Sequence, residues 1–298
     1  MRLAPLLLKM RWYPQRDWLA VFFFLSVFLL AGAQAVFASP ELENTNTLKV
    51  IGRSEFEGTH LELSDDDWAW VRSKRVIVLG TAAPGFAPLE IVSNGMYYEG
   101  ISADVVDLIG KLLHVEVRVV QFPDRAAALN ALARGLVDIV GSASSHEPAA
   151  YHGRLTGSYV SDQLVLYVRK SEMRSIPSRL DGMRIAVADD YLPLGQLKTA
   201  YPAAEFVAYR SREQALAALA FGNADLYLGD AISSNYFVNL NYFNDVRMLS
   251  RLDIPAGGFA FVVHVGADRL GSVLNSALEV VRREYSAEIL KRWSGGGG

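Results

Sequence analysis

Residues 155–170, LTGSYVSDQLVLYVRK, decide the fold. The segment begins with turn-forming residues, continues as an apolar run and ends on a basic pair. Residues 163–168 alternate too little for a half-exposed strand and are too few to span a membrane, so they predict a buried strand. Residues 258–264, GFAFVVH, have the same character and are expected to lie beside it. The chain would then pass from one lobe to another and back through a two-strand hinge, with a ligand cleft between the lobes.

Strand and helix patterns alternate on both sides of this segment. Alternation at such spacing predicts an α/β fold with parallel strands in each lobe. Before the segment, a short helix follows Ser64, strands cover 75–81, 115–121 and 137–140, and helices begin near Ser102 and Pro123. After it, strands cover 183–188, 204–208, 225–228 and 246–249, and helices cover 192–199, 213–221, 231–240 and 267–293.

The N-terminus predicts export. Basic residues precede an apolar run over residues 18–33, which small residues follow, and this is typical of a secretory signal peptide over residues 1–38. The apolar stretch, if continued to residue 38, is also long enough to span a bilayer, so an uncleaved anchor is the alternative. Basic flanks stay cytoplasmic in both cases. The protein is therefore expected to be periplasmic after cleavage, or anchored in the inner membrane and facing the periplasm.

The composition excludes several classes of protein. A formal net charge of -3 gives no general case for a nucleic-acid partner. The absence of cysteine removes disulfides, thiolate metal sites, a cysteine nucleophile and a lipoprotein anchor. The histidines are scattered and no glycine-rich phosphate loop occurs, so neither a metal nor a cofactor is predicted.

The domain organisation follows from these patterns. After the signal peptide, we predict a linker at 39–63, the first part of lobe 1 at 64–162, lobe 2 with its hinge strand at 163–257, and a return strand with helices packing on lobe 1 at 258–293. The glycine-rich residues 294–298 predict a flexible linker that leads to a further part of a longer protein.

An ordered set of segments resembles a known family. The segments are RVIVLGT, GISADVVDLI, ALARGLVDIV, SYVSDQLVLYVRK, DGMRIAVADD, ALAALAFGNADLYLGD, GFAFVV and AEILKRW. Together they resemble the periplasmic type II solute-binding proteins, or Venus flytrap modules, over about residues 64–293. The lead-in LELSDDDWAWVRSKRVIVLG is similar to the preface of flytrap modules in BvgS/EvgS-type sensor histidine kinases. In that group two modules commonly stand in tandem before a membrane helix and a kinase.

The resemblance implies ligand-binding residues. Phe86 takes the place of the family's first cleft aromatic, while Leu89 replaces the usual second one. Tyr159 matches the aromatic of the hinge motif, here SYVS. Asp230 matches the lobe-two carboxylate that binds the ligand's amino group in amino-acid binders. For Phe86, filling the rim of lobe 1 is an equal alternative.

Further candidates come from the residues themselves. Ser142 and Ser144, with Ser145, follow a predicted strand at its carboxyl end, where open α/β sheets commonly meet their ligands. Asp190, Asp189 and Asp230 follow lobe-two strands and together predict an acidic lip selective for amines or cations. Ordinary turn and capping chemistry is the alternative for all of them.

One departure from the family decides the expected ligand. Amino-acid binders place an arginine shortly after the serine loop to clamp the ligand's carboxylate. Ala149 and Ala150 stand at that place here. The expected ligand is therefore an amine, a cation or a neutral solute rather than a typical α-amino acid, or there is none.

Three functions are weighed. The leading hypothesis is an extracytoplasmic sensing module without catalytic residues, partnered by a second flytrap module and a membrane-embedded kinase. The second is a free periplasmic solute-binding protein of an ABC uptake transporter. The third is an enzyme such as a dehydratase with Asp230 or Asp190 as base, although no nucleophile and base stand at a recognisable spacing. The oligomeric state, including a homodimer, is left open.

Overall fold

The computed structural model describes residues 46–144, 153–188, 192–255 and 257–294. The predicted signal peptide and the final glycines lie outside these ranges. Among the helices of the described ranges, none has the length and apolar character that crossing a membrane requires.

The strands are numbered here in chain order. They are β1 Asn46–Val50, β2 Val76–Ala82, β3 Ile91–Ser93, β4 Tyr97–Glu99, β5 Glu116–Phe122, β6 Ile139–Ser144, β7 Gly153–Leu155, β8 Gln163–Arg169, β9 Arg184–Ala188, β10 Glu205–Tyr209, β11 Leu226–Asp230, β12 Val246–Pro255 and β13 Phe259–His264.

The helices are numbered in the same way. They are α1 Asp65–Lys74, α2 Ile101–Leu113, α3 Arg125–Ala133, α4 Leu194–Ala200, α5 Arg212–Ala220, α6 Ala231–Phe237, α7 Asp268–Glu284 and α8 Ser286–Ser294, and a π-helical turn at Val238–Tyr242 extends α6.

Two separate sheets build two lobes, which confirms the predicted α/β class. Lobe 1 contains an eight-stranded sheet of order β3-β4-β1-β5-β2-β6-β13-β7, with α1–α3, α7 and α8. Lobe 2 contains a five-stranded sheet of order β10-β9-β11-β8-β12, with α4–α6. Strand β2 runs parallel to β5 and β6, and β9 runs parallel to β10 and β11, as the alternation of strands and helices predicts.

Each lobe has its own hydrophobic core. In lobe 1, the apolar face of α2 packs with the predicted apolar face of α7, which includes Leu270, Leu274 and Leu278. In lobe 2, separate clusters cover the sheet, one around Leu228 and one around Leu216. Because the buried apolar surface divides between two sheets, the lobes meet along a boundary where polar groups and a cavity find room.

The chain passes between the lobes through two segments that are bonded to each other. The N–H of Phe259 donates to the carbonyl of Val160 at 2.9 Å, and the N–H of Tyr159 donates to the carbonyl of Phe259 at 2.8 Å. Gly258 has a φ of +103°, and a Cβ at this position would lie 2.3 Å from the Val160 oxygen. These crossings form the two-strand hinge.

The return strand lies elsewhere than expected. Strand β13 pairs with β6 and β7 in lobe 1, whereas β8 pairs with β11 and β12 in lobe 2. The prediction that 258–264 would lie beside 163–168 is therefore wrong, and only the residues just before the two strands are bridged. Both strands are apolar because each is buried within its own sheet, and apolar composition reports burial rather than the identity of the neighbour.

Three local predictions also need correction. Helix α2 begins at Ile101 behind Gly100, so Ser102 lies buried in its first turn and is not its cap. Strand β6 continues through Ser144, so Ser142 and Ser144 lie within the strand instead of after it. Part of the predicted linker forms β1, which was missed because only Leu48 of this short strand is buried.

Candidate functional site

A cavity of about 350 Å³ lies between the lobes. Its size falls within the range of small-molecule sites, which is about 300–1,000 Å³. Lobe 1 contributes the loop after β2, the start of α3 and part of β6, and lobe 2 contributes the start of α5 and the end of α6. The lining residues are Ala82, Ala83, Pro84, Gly85, Phe86, Ala87, Glu90, Asp124, Arg125, Ser142, Arg210, Ser211, Arg212, Glu213 and Phe237.

Phe86 stands on the lobe-1 wall of this cavity, as the resemblance implies. Its backbone bridges to Glu90 across the loop between β2 and β3, which fixes the position of the ring. The ring lies edge-on against Phe259 with centroids 5.3 Å apart. The guanidinium carbon of Arg212, from lobe 2, lies 3.7 Å from the centre of the Phe86 ring. Phe86 therefore contacts both the hinge strand and the opposite lobe.

Asp230 does not line the cavity itself, but its partner Arg212 does. Its carboxylate is 1% exposed, caps α6 by accepting the N–H of Ser233 at 2.6 Å, and also accepts the Ser233 hydroxyl. Arg212 Nε donates to Asp230 Oδ2 at 3.3 Å. The Asp230 carboxylate, which was expected to meet a ligand directly, is thus covered by a guanidinium of the same chain.

Ser142 lines the cavity and is tied to Tyr159. Both are buried, and the Tyr159 hydroxyl accepts the N–H of Ser142 at 3.0 Å and pairs with the Ser102 hydroxyl at 2.7 Å. Burial raises the pKa of Tyr159 to about 12, so its hydroxyl stays protonated. The Tyr159 ring packs on Phe261, 4.7 Å between centroids. Tyr159 therefore supports the cavity wall from inside lobe 1, and its direct contact with a ligand stays a prediction.

Glu90 is a buried carboxyl that the sequence did not single out. It accepts hydrogen bonds from Thr81 at 3.1 Å and from Tyr98 at 3.0 Å. Desolvation raises the pKa of Glu90, against the opposing charge of Arg125. A Cβ on Gly141 would come within 2.2 Å of Glu90 Oε1, so the glycine makes room for this carboxyl. The cavity lining therefore includes a carboxyl whose charged form is less favourable than that of a solvated glutamate.

Asp162 lies at the hinge, directly before β8. Its Oδ1 accepts the N–H groups of Ala231 and Ile232 at 3.1 and 3.3 Å, at the start of α6. Its Oδ2 is buried and has no hydrogen-bond partner among the described residues. Burial and the nearby charge of Asp230 raise the pKa of Asp162 to about 8. A hinge carboxyl that favours the protonated form was not predicted, because adjacency to Asp230 arises only in the fold.

The remaining candidates are placed as follows. Ser144 is buried in β6 opposite Phe259 and does not line the cavity. Leu89 is fully buried in the core of lobe 1. Asp190, Asp189 and Ser145 lie outside the described residues, as do Ala149 and Ala150. In the part of the chain that the structure describes, no group of three potential metal ligands comes together.

The cavity arginines were missed, although the sequence carries a signal for two of them. Residues 125–135 and 212–222 share the pattern Arg-x-x-Ala-Leu-x-Ala-Leu-Ala-x-Gly. Each copy is a helix whose first residue is the arginine, and each leads to a strand that ends near the cavity. Arg125 donates to the carbonyl of Gly141 at 2.9 Å in lobe 1, while Arg212 occupies the corresponding place in lobe 2. An internal repeat of this kind places the two arginines on facing walls.

Two lobes, a two-strand hinge and a cavity between them define the class of two-lobed solute-binding domains. Comparison with known sequences gives the family. The chain belongs to the bacterial extracellular solute-binding proteins, family 3, whose profile matches residues 77–296.

Individual relatives are sensor proteins. The virulence sensor protein BvgS of Bordetella parapertussis is 35% identical over 259 residues, 87% of this chain and 21% of the relative. The sensor protein EvgS of Escherichia coli K12 is 23% identical over 235 residues, 78% of this chain and 20% of the relative. The crystal structure of the Bordetella pertussis BvgS periplasmic domain matches with a TM-score of 0.77 at 35% identity, over 84% of this chain and 49% of that one.

The similarity covers only part of each sensor protein. The chain spans about a fifth of the length of the two sensor proteins. It is a solute-binding domain related to the periplasmic sensor domain of BvgS-type histidine kinases.

Proposed function

We propose that this chain is the periplasmic sensing domain of a membrane-bound sensor histidine kinase, and that a small solute in the cavity changes the separation of its lobes. The observation that carries the proposal is the cavity itself, whose wall combines Phe86 and Ser142 of lobe 1 with Arg212 of lobe 2. A solute that contacts both walls differs in affinity for the open and the closed arrangement, and this difference is what shifts the equilibrium between them.

The C-terminal helix offers a path for the signal. Helix α8 is anchored in lobe 1, because Arg292 and Trp293 both donate to the buried carboxylate of Asp104, at 2.9 and 2.8 Å. Its end also contacts lobe 2, where Asn239 Nδ2 donates to the carbonyl of Ser294 at 3.4 Å. A change in lobe separation therefore strains or breaks a contact at the point where the chain leaves the domain.

The ligand class is proposed from the cavity's groups. An amine or cation must compete with Arg212 for Asp230, whereas a neutral solute can pair with Ser142 and pack on the Phe86 ring while Arg212 keeps its place. We therefore place neutral solutes first, and amines or cations second. A second flytrap module and a kinase are the proposed partners.

Thermal unfolding of the purified full chain, screened against neutral solutes, amines and carboxylates, tests the binding. A solute at 100 times its dissociation constant adds about 2.7 kcal/mol of stability. The stabilisation is expected in the wild type and in Phe221→Ala, an exposed lobe-two aromatic outside the cavity, and is expected to be lost in Phe86→Ala. Equal stabilisation of Phe86→Ala would place the ligand outside the cavity and contradict the proposal.

The signalling half needs a separate readout. In cells that produce the chain within its complete protein, a reporter of the kinase's regulated gene is expected to change with Phe86→Ala and to keep its wild-type level with Phe221→Ala. An unchanged reporter in Phe86→Ala, with the protein present at wild-type amount, would mean that the cavity is not coupled to output. An unchanged reporter is the result expected for a free solute-binding protein of a transporter.

A further inference from the structure

The guanidinium of Arg212 makes, within one chain, the contacts that a bound cation would make. It lies 3.7 Å from the centre of the Phe86 ring in lobe 1 and donates to Asp230 Oδ2 at 3.3 Å in lobe 2. An aromatic face and a carboxylate are the two groups that recognise guanidinium and ammonium ions in proteins. Arg212 thus links the lobes although it belongs to lobe 2.

The site around this guanidinium is built and not accidental. The Arg212 side chain is 12% exposed and that of Asp230 is 1% exposed, so both charges are largely removed from water. Asp230 is held by the N–H and the hydroxyl of Ser233, and Phe86 is held by its bridge to Glu90 and by the Phe259 ring. Two fixed walls that both favour a cation leave the guanidinium a defined position between them.

A lysine would not serve in the same way. The planar guanidinium stacks on an aromatic face while its edge pairs with a carboxylate, whereas an ammonium is a compact, strongly hydrated point charge. Arg212 also starts α5, so its backbone position is fixed by a helix that Ser211 caps through the Gln214 N–H at 3.2 Å. The start of α5 therefore holds the Arg212 guanidinium at a fixed position in the cavity.

We propose that Phe86 and Asp230 form a guanidinium-binding site of which Arg212 is the built-in ligand, so that the lobes are held together without any solute. The inference rests on the cavity being the ligand site, as proposed above. It adds that guanidinium compounds are the class of ligand this site takes once Arg212 is withdrawn. In the resting state the contacts of Arg212 with Phe86 and Asp230, here called the internal tether, hold the lobes together. An incoming solute then either displaces Arg212 or binds next to it.

Chemical rescue tests the site directly. In the purified full chain, Arg212→Ala is expected to lower the unfolding midpoint, and methylguanidinium at millimolar concentration is expected to restore part of the loss. The matched control is Arg210→Ala, which removes a more exposed arginine from the same cavity wall two residues away. Methylguanidinium is expected to leave the midpoints of the wild type and of Arg210→Ala unchanged, because Arg212 still fills the site in both.

The opposite pattern overturns the inference. If methylguanidinium shifts the midpoint of Arg212→Ala no more than that of Arg210→Ala, there is no guanidinium site. Adding Phe86→Leu to Arg212→Ala is expected to weaken the apparent affinity for methylguanidinium at least tenfold, and an unchanged affinity would exclude Phe86 from the site. Since these readouts concern the cavity alone, they succeed or fail whether or not a kinase responds to the domain.

A second route covers the case in which Arg212→Ala does not fold. Arg212→Lys retains a positive charge opposite Asp230 but loses the stacked guanidinium. Phe86→Leu is then expected to lower the midpoint of the wild type and to have a smaller effect in the Arg212→Lys background. Equal effects of Phe86→Leu in both backgrounds would show that Phe86 and Arg212 are not coupled, and would contradict the proposal that Arg212 holds the lobes together.

Discussion

Trp293 Nε1 donates to Asp104 Oδ2 at 2.8 Å, which ties the last described turn of the chain to the first turn of α2. The same carboxylate accepts Arg292 Nη1 at 2.9 Å and the backbone N–H of Arg53 at 2.6 Å. The Asp104 side chain is fully buried, while that of Arg292 is 21% exposed. A single carboxylate therefore joins the segment after β1, helix α2 and helix α8.

Replacing this carboxylate is expected to cost stability and to release α8. Asp104→Asn removes the fully buried partner of the Arg292 guanidinium, which keeps its ion pair with the exposed Glu288. Because breaking a buried pair by removing one partner costs about 3–5 kcal/mol, a loss of up to this size is expected. The free energy of unfolding from urea titration measures the loss. The matched control is Glu116→Gln, whose pair with Arg118 is exposed and whose effect is expected to stay within about 0.5 kcal/mol. Similar losses in both variants would mean that Asp104 does not anchor the helix.

The raised pKa of Asp162 at the hinge predicts that the stability of the domain depends on pH, with a defined sign. Because the pKa of Asp162 is raised by burial and by Asp230, the folded state binds more protons than the unfolded state between about pH 4 and the raised value of about 8. This group's contribution to stability is thus present at the acid end of that window and is lost as the pH rises through it. Asp162→Asn keeps a neutral acceptor for the N–H groups of Ala231 and Ile232, so it is expected to remove the loss.

The measurement is the free energy of unfolding at three or four pH values across that window. Asp162→Asn is expected to match the wild type near pH 4 and to be the more stable protein at pH 8. If the wild type gains stability relative to Asp162→Asn as the pH rises, the carboxylate is the favoured form and the account of Asp162 is wrong.

Gly258 is predicted to be required at the crossing between the lobes. An alanine there must adopt a φ of +103° and its Cβ would meet the Val160 carbonyl at 2.3 Å. Gly222→Ala is the matched control, since Gly222 has a φ of +81° with open space around it. Both variants carry the cost of a left-handed alanine, about 1 kcal/mol, and only Gly258→Ala adds the clash. Urea titration is expected to show the larger loss for Gly258→Ala, and equal losses would mean that the crossing tolerates the extra carbon.

Much of the fold could be predicted because burial leaves a direct trace in the sequence. The uninterrupted apolar runs at β8 and β13 gave two buried strands, and the apolar spacing of α7 gave the face that packs on lobe 1. The pairing of β13 could not be predicted in this way, because an apolar strand suits any buried position. The short strand β1 buries a single residue and therefore leaves too little pattern to detect.

The site was predicted in part for a similar reason. The resemblance, which fixes positions relative to whole segments, pointed to Phe86, which lines the cavity, and to Asp230, whose contact with a ligand stays a prediction. Arg212 was missed because an arginine at the first position of a helix resembles a solvated residue, and the repeat that it shares with Arg125 points to a site only when the two lobes face each other. The pairing of Asp162 with Asp230 likewise depends on 67 intervening residues folding back to the hinge, which no local pattern encodes.

The separation of the lobes tests the account most directly. The chain has no cysteine, so spin labels on Ala126→Cys and Gln214→Cys, exposed positions next to the cavity in opposite lobes, report one distance. Double electron–electron resonance is expected to give one narrow distance in otherwise wild-type protein, a longer and broader distribution when Arg212→Ala is added, and a return towards the short distance with methylguanidinium. An identical distribution in all three samples would contradict the claim that the contents of the cavity set the separation of the lobes.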